Sequence, residues 1–197
     1  MRLTGDNLTA VRGGRTVFAD RSFTVGGGEM LAVTGANGAG KSTLLRLIAG
    51  LIAPAAGSVT LEPAAEGGIA GALHYLGHAD GLKTALTVRQ NLQFWRRLWD
   101  GGDIDAALDR VGLVHLADLP AAVLSAGQRR RVALARLHLA ARPLWLLDEP
   151  ATALDVDAEE NLTTQIADHL AAGGMVVVAT HRPLTVAAAA TLTLGGA

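Results

Sequence analysis

MLAVTGANGAGKSTLLRLIAG, residues 30–50, is the segment from which the rest of the chain can be read outward. It opens with an apolar run of strand character, MLAVTG (30–35), and closes with KSTLLRLIAG (41–50), whose aliphatic residues recur at helical spacing up to Gly50, where a helix C-cap would sit. Between them, GANGAGKST (35–43) matches the pattern GxxxxGK[ST]. Gly35, Gly38 and Gly40 let the backbone curl so that its N–H groups face phosphate oxygens. Lys41, one of the chain's two lysines, brings a point charge to the β and γ phosphates, and Ser42 offers a hydroxyl to Mg2+. A glycine-rich turn with an incidental lysine would need neither the strand before it nor the helix after it. The whole segment, Gly35, Ala36, Asn37, Gly38, Ala39, Gly40, Lys41, Ser42 and Thr43, is therefore expected to hold ATP or GTP.

Further strands are expected at SVTLE (58–62), after the turn-like PAAG (54–57), and at ALHYLGH (72–78). PLWLLDEP (143–150) and MVVVATH (175–181) carry the continuous apolar cores of fully buried parallel strands. From Leu86 to about Leu119 the pattern turns helical, interrupted by glycines at 101 and 102, as an inserted helical subdomain would be. Strands alternating with helices imply an α/β fold whose mostly parallel sheet is covered on both faces. With 197 residues, half of them apolar, the chain suffices for one such domain. A net charge of -1 argues against nucleic acid as the main partner, and the absence of cysteine removes disulfides and thiolate chemistry and fits a reducing compartment. The N-terminus lacks a signal-peptide core, and no apolar run reaches membrane-spanning length. The uncharged tail PLTVAAAATLTLGGA (183–197) reads as a closing strand or two.

A phosphate loop needs a carboxylate at the end of a neighbouring strand to hold the metal, and LWLLDEP supplies Asp148 there. Glu149, one residue on, can reach an attacking water as general base, so the pair points to hydrolysis and not binding alone. LSAGQRRRVALARL (124–137) places Ser125 and Gly127 at a helix start, where unpaired N–H groups and the helix dipole favour an anion; the alternative is an ordinary N-cap. Arg129 to Arg131 read as a solvated helix face rather than a nucleic-acid patch. His74, His115, His138 and His169 read as structural or solvated. His74 and His78 are four apart on an expected strand, which is not the helical pairing of two zinc ligands.

Together these motifs resemble the nucleotide-binding subunit of an ABC transporter, a P-loop NTPase. GANGAGKST resembles its Walker A motif, LSAGQ (124–128) its signature, LWLLDEP its Walker B strand, ATALD (151–155) its D-loop, and His181 its switch histidine. The resemblance implies an ABC-type core with an N-terminal antiparallel portion and a helical subdomain inserted at roughly 84–142, in one nucleotide-binding domain spanning 1–197. It implies ATP and Mg2+ as cofactors, and a homodimer in which Ser125 and Gly127, with Gln128 beside them, grip the γ phosphate of ATP bound to the other copy. Asp155 then links the two sites, and His181 contacts the γ phosphate and orients Glu149 and the water.

Two positions depart from the usual family pattern. His78 stands in YLGHADGLK (75–83) where a glutamine commonly touches Mg2+ and the water. Neutral imidazole can accept or coordinate and imidazolium cannot, so turnover is expected to fall as His78 takes up a proton, and His78→Gln to flatten that fall. An unchanged pH–rate profile in the variant would remove His78 from the mechanism. Arg12 stands in AVRGGRTVF (10–18) where an aromatic commonly stacks on adenine. Its guanidinium could stack instead, or Val17 and Phe18 could form an apolar wall. Weak base discrimination would follow in either case, with GTP competing well.

YLGH, GLKTALT, NLQFW and LSAGQRRRVALARL together are similar to the ATPase of the cytochrome c maturation heme-export complex, the CcmA family, in which histidine in the YLGH segment is typical. That resemblance implies polytopic membrane subunits as partners, a peripheral place on the cytoplasmic face of the inner membrane, and heme handled by the partners, with no heme ligand in this chain. An ATPase of another ABC exporter, or a soluble ABC-type switch acting on nucleic acid, would share the chemistry. The apolar residues of 86–99, Phe94 and Trp95 included, read as core packing, with docking on a membrane subunit as the alternative.

Overall fold

The computed structural model describes residues 1–181 and 185–195. They fall into two compact units, one made of Met1–Gly77, Arg142–Glu149 and Gln165–Ala197, the other of His78–Ala141 and Pro150–Thr164.

The first unit contains two sheets. Strands β1 (Arg2–Arg12), β2 (Arg15–Gly26) and β4 (Ala56–Glu62) form an antiparallel sheet in the order β2-β1-β4. The β1–β2 hairpin turns through Gly13 and Gly14, with φ of 56° and 75°. Two successive left-handed residues fit the twist of the flanking strands, and glycine adopts them without strain. Leu3, Leu8 and Ala10 face the core from β1, and Phe18, Phe23 and Val25 from β2. The expected N-terminal antiparallel portion is thus present, and the strand expected at 58–62 belongs to it.

Strands β3 (Met30–Thr34), β5 (Leu73–Leu76), β6 (Leu144–Asp148), β7 (Met175–Ala179) and β8 (Ala190–Thr193) form an all-parallel sheet in the order β5-β6-β7-β3-β8. Every residue of β6 and β7 is buried, which explains their unbroken apolar runs. In the register Val33 faces Ala179, and Ala179 faces Asp148. The three strands therefore end level, and the loops that follow them rise from one edge of the sheet, where open α/β sheets bind ligands.

Helix α1 (Lys41–Ile48) follows the loop after β3 and buries Leu44, Leu45, Leu47 and Ile48. It ends in a Schellman motif: Gly50, at φ 72°, donates to the Leu47 carbonyl and Leu51 to that of Arg46. A short helix α2 (Gly68–Ala72) precedes β5. Of the expected closing strands, Ala190–Thr193 is one; residues 183–184 and 196–197 of that tail lie outside the described residues. The expected strand at 72–78 is shorter than anticipated, ending at Leu76, so His78 does not lie on it.

The second unit is helical. α3 (Val88–Trp99) starts at a capping box in which Thr87 and Gln90 bond reciprocally, and α4 (Ile104–Asp109) is capped by Asp103. The glycine pair between them is a close approach, since a Cβ on Gly101 would lie 2.6 Å from the Leu139 carbonyl oxygen. α5 (Ala126–Ala135) continues into a 3-10 turn at Arg136–His138. Helix α6 (Val156–Ala171) begins in this unit and ends in the first. Phe94 and Leu98 on α3 are 58% and 61% exposed, so core packing fails as an account of both. They line a groove of about 580 Å³ with Leu86, Gln90, Gln93 and Arg97. No helix among the described residues is long and apolar enough to cross a membrane.

Candidate active site

In the first unit, the loop after β3 turns through Gly35, Gly38 and Gly40 at φ of 137°, 83° and 99°. Two of these glycines are also sterically required. A Cβ on Gly35 would lie 2.1 Å from the Leu194 carbonyl oxygen, and one on Gly40 would lie 2.5 Å from Val17 and 3.0 Å from Phe18. Val17 and Phe18 therefore sit directly against the loop, as the apolar-wall alternative requires, whereas Arg12 is exposed at the hairpin end beside Arg15. Lys41 is buried, and its Nζ donates to the carbonyls of Gly35 and Ala36 at 2.9 and 3.3 Å. The ammonium is thus held across the loop's own carbonyls, and Thr43 lies buried in the first turn of the helix.

The Ser42 hydroxyl donates to Asp148 Oδ1 at 3.0 Å, and Asp148 is 1% exposed at the end of β6. A hydroxyl and a carboxylate at this spacing are hard oxygen donors of the kind Mg2+ takes while keeping several waters. The residues present therefore fit that ion. No group of three or more carboxylate or imidazole ligands exists among the described residues, so an all-protein cage is not offered. Tyr75, the chain's only tyrosine, was not anticipated here. Burial raises its phenol's pKa and the Asp148 charge adds to this, while a hydrogen bond with Arg46 opposes it.

Glu149 follows Asp148 with φ 47°, a left-handed conformation that costs a non-glycine residue roughly 1–2 kcal/mol. Its backbone N–H still donates to the Ala179 carbonyl at 2.8 Å, so the turn is held by the sheet. The result aims the side chain at His181, whose Nδ1 lies 2.9 Å from Glu149 Oε2. Backbone strain that neighbouring hydrogen bonds hold in place is typical of functional positions. Glu149 is mostly buried and His181 is 58% exposed, so the imidazole stands between the carboxylate and solvent. Loop, Asp148, Glu149 and His181 are thus all set at one edge of one sheet.

The remaining expected residues lie in the second unit. Ser125 is the N-cap of α5, its hydroxyl accepting from Gln128 N–H at 3.1 Å while Gln128 Oε1 accepts from Ser125 N–H at 2.9 Å. This capping box is the ordinary N-cap alternative, and it gives Gln128 a structural part that the sequence pattern S-x-x-Q already carried. It does not exclude the anion cradle: the hydroxyl accepts through a lone pair, and its proton remains to be donated elsewhere. A Cβ on Gly127 would lie 2.6 Å from the Ala153 carbonyl oxygen, so glycine is required there by the approach of the loop that ends at Asp155. Asp155 is exposed, and its Oδ1 accepts from Ala158 N–H at 2.9 Å, capping α6. His78 is exposed, between β5 and α3.

Residues 18–152 match the family model described as ABC transporter. The cytochrome c biogenesis ATP-binding export protein CcmA of Rhodopseudomonas palustris (strain BisB5) is 54% identical over 193 residues, covering 95% of this chain and 96% of the relative. The protein of the same name from Nitrobacter winogradskyi is 52% identical over 200 residues, with 100% of each covered. Among solved structures, an ABC transporter ATP-binding protein from Pyrococcus furiosus superposes with a TM-score of 0.85 over 98% of both chains at 24% identity, a likeness of fold. A bacterial Atm1-family ABC exporter with ATP bound gives 0.83 at 26% identity, over 98% of this chain and 37% of that one.

Proposed function

The chain belongs to the ABC transporter family and, within it, to the CcmA group of cytochrome c biogenesis ATP-binding export proteins, and on that premise we propose that its ATP hydrolysis drives a heme-export and heme-chaperone-delivery complex in c-type cytochrome assembly. The observation that carries this is the likeness to CcmA over almost the whole length of both chains.

The chain acts as one nucleotide-binding domain, with the segment at about 84–142 as its helical insertion. Loop N–H groups of residues 35–43 and the Lys41 ammonium hold the β and γ phosphates of ATP. Ser42 and Asp148, joined at 3.0 Å, would hold Mg2+, and His78 is the residue that the family pattern assigns as a further contact to the ion and the water. Mg2+ supplies charge neutralisation at the phosphate oxygens when bound. Glu149 takes the proton of the water that attacks the γ phosphorus, the bond from that phosphorus to the bridging oxygen breaks, and ADP leaves. His181, at 2.9 Å, orients Glu149 and reaches toward the γ phosphate. Val17 and Phe18 against the phosphate loop, with Arg12 nearby in sequence, form the wall for the base.

Ser125, Gly127 and Gln128 complete the site of a second copy in a homodimer closed around ATP, with Asp155 linking the two sites. The exposed apolar groove around Phe94 and Leu98 receives a polytopic membrane subunit at the cytoplasmic face of the inner membrane. Heme is handled by those partners and neither it nor nucleic acid is bound here.

The test is to tag the chain in its native cell, solubilise membranes gently and identify co-purifying proteins by mass spectrometry. Small polytopic proteins together with a covalently heme-loaded chaperone are expected. An unrelated permease would leave the ATPase and replace the cargo, and ribosomes or DNA-repair proteins would overturn the transport function.

A further inference from the structure

Helix α5 and the 3-10 turn that continues it carry two guanidiniums into the interior of the second unit. Arg130 is 3% exposed and Arg136 is 7% exposed. Buried cations are costly unless an anion and hydrogen bonds compensate them. Asp80 supplies the anion: its Oδ1 lies 3.3 Å from Arg130 Nη1. Arg136 stacks over the Trp95 ring at 5.1 Å and donates its Nε to the Ala133 carbonyl at 3.0 Å. Burial pushes its pKa down to about 10, with Asp80 opposing that and Arg130 adding to it. Asp80 thus bonds to one of the two buried cations and is felt electrostatically by the other.

Arg130 does more than pair. Its Nε donates to the Pro150 carbonyl at 3.1 Å, so one planar group bonds to two segments far apart in sequence. One of these lies two residues past His78, and the other begins directly after Glu149. An ordinary arginine after a helix start would point to solvent, as the run Arg129 to Arg131 suggested from the sequence. Here the middle member points inward.

We propose that Arg130 is a positioning residue for ATP hydrolysis, its guanidinium tying the segment that follows His78 to the backbone that follows Glu149. This rests on the roles proposed above for those two side chains. Arg130 touches no reacting atom in this scheme. It fixes the backbone from which each of the two side chains is presented, a task that needs a rigid fork with separated donors and that a lysine cannot perform.

The test compares the parent, Arg130→Lys, Asp80→Asn, the double variant and Glu149→Gln, each as the full chain isolated with its membrane partners. Hydrolysis rates, binding of a fluorescent ATP analogue and melting temperature are measured at a temperature where every variant is folded. Arg130→Lys keeps the charge beside Asp80 but loses one of the two bonds, so kcat is expected to fall roughly tenfold with nucleotide affinity changed less than about twofold. Asp80→Asn is expected to behave alike, and the double variant to fall no further than the worse single one, because neighbouring residues in one network are not additive. Parent-like kcat in Arg130→Lys and Asp80→Asn beside an inactive Glu149→Gln would overturn this inference alone. So would a rise in KM at constant kcat, a lowered melting temperature without loss of kcat, or additive losses. A Glu149→Gln protein as active as the parent would overturn the proposed base, and this inference with it.

Discussion

Glu149→Gln is expected to abolish turnover while leaving nucleotide binding in place. The amide has nearly the shape of the carboxylate, and the left-handed turn at φ 47° together with the 2.8 Å bond from the Glu149 N–H to Ala179 belongs to the backbone, which the substitution leaves alone. What disappears is the group proposed to accept the proton of water. General base catalysis supplies about 10²–10⁴-fold, and hydrolysis should fall by that factor. ATP affinity should move by less than about threefold, under 1 kcal/mol on the binding scale, because Lys41 and the loop N–H groups proposed to hold the phosphates are untouched. Rate and affinity measured on the same preparation check this. Equal hydrolysis by the variant and the parent would remove Glu149 from the reaction.

Ser125 offers the second large effect, because its two roles can be pulled apart. Aspartate caps helices as well as serine does, so Ser125→Asp should keep the capping box with Gln128 and shift the melting temperature by less than about 2 °C. Yet a carboxylate has no proton to donate and would face a γ phosphate with like charge. If Ser125 completes the site of a second copy, turnover should drop at least about 100-fold, equivalent to roughly 2.7 kcal/mol of transition-state stabilisation. Ser125→Ala should do the reverse on stability, losing about 1 kcal/mol of capping. A Ser125→Asp protein with normal turnover would leave the residue as a cap and nothing more. Melting curves and ATPase rates on the two variants decide between these results.

The reactive segments were legible because their chemistry and their secondary structure lie in the same few residues. GANGAGKST needs no partner to be recognised, and the apolar run before Asp148 announces a buried strand that ends in a carboxylate. The N-terminal strands β1 and β2 were visible only through family resemblance. Their register shifts between Gly5 and Leu8, between Leu8 and Ala10, and between Ala10 and Val11, and each irregularity breaks the alternation a strand is recognised by. Helix α6 went unread for a different reason. Its buried positions Ala158, Leu162 and Ile166 do recur every four residues, but Thr163 and Thr164 lie among them. Both hydroxyls bond back to the carbonyls of Glu159 and Glu160, a local satisfaction that propensity does not reveal. The 2.9 Å contact between His181 and Glu149 depends on β6 and β7 being neighbours, which neither strand states alone. The inward turn of Arg130 is equally silent in a run of three arginines.

The level ending of β3, β7 and β6 bears on what a preparation of this protein can contain. A slip of one residue between parallel neighbours would turn every side chain to the opposite face of a sheet packed on both sides, and would carry Asp148 away from Ser42. There is no half-slipped arrangement, so molecules should sort into competent and incompetent populations with nothing graded between. Titration of bound nucleotide in a partly inactive sample should then give full affinity at reduced stoichiometry, and not a weakened affinity across all molecules.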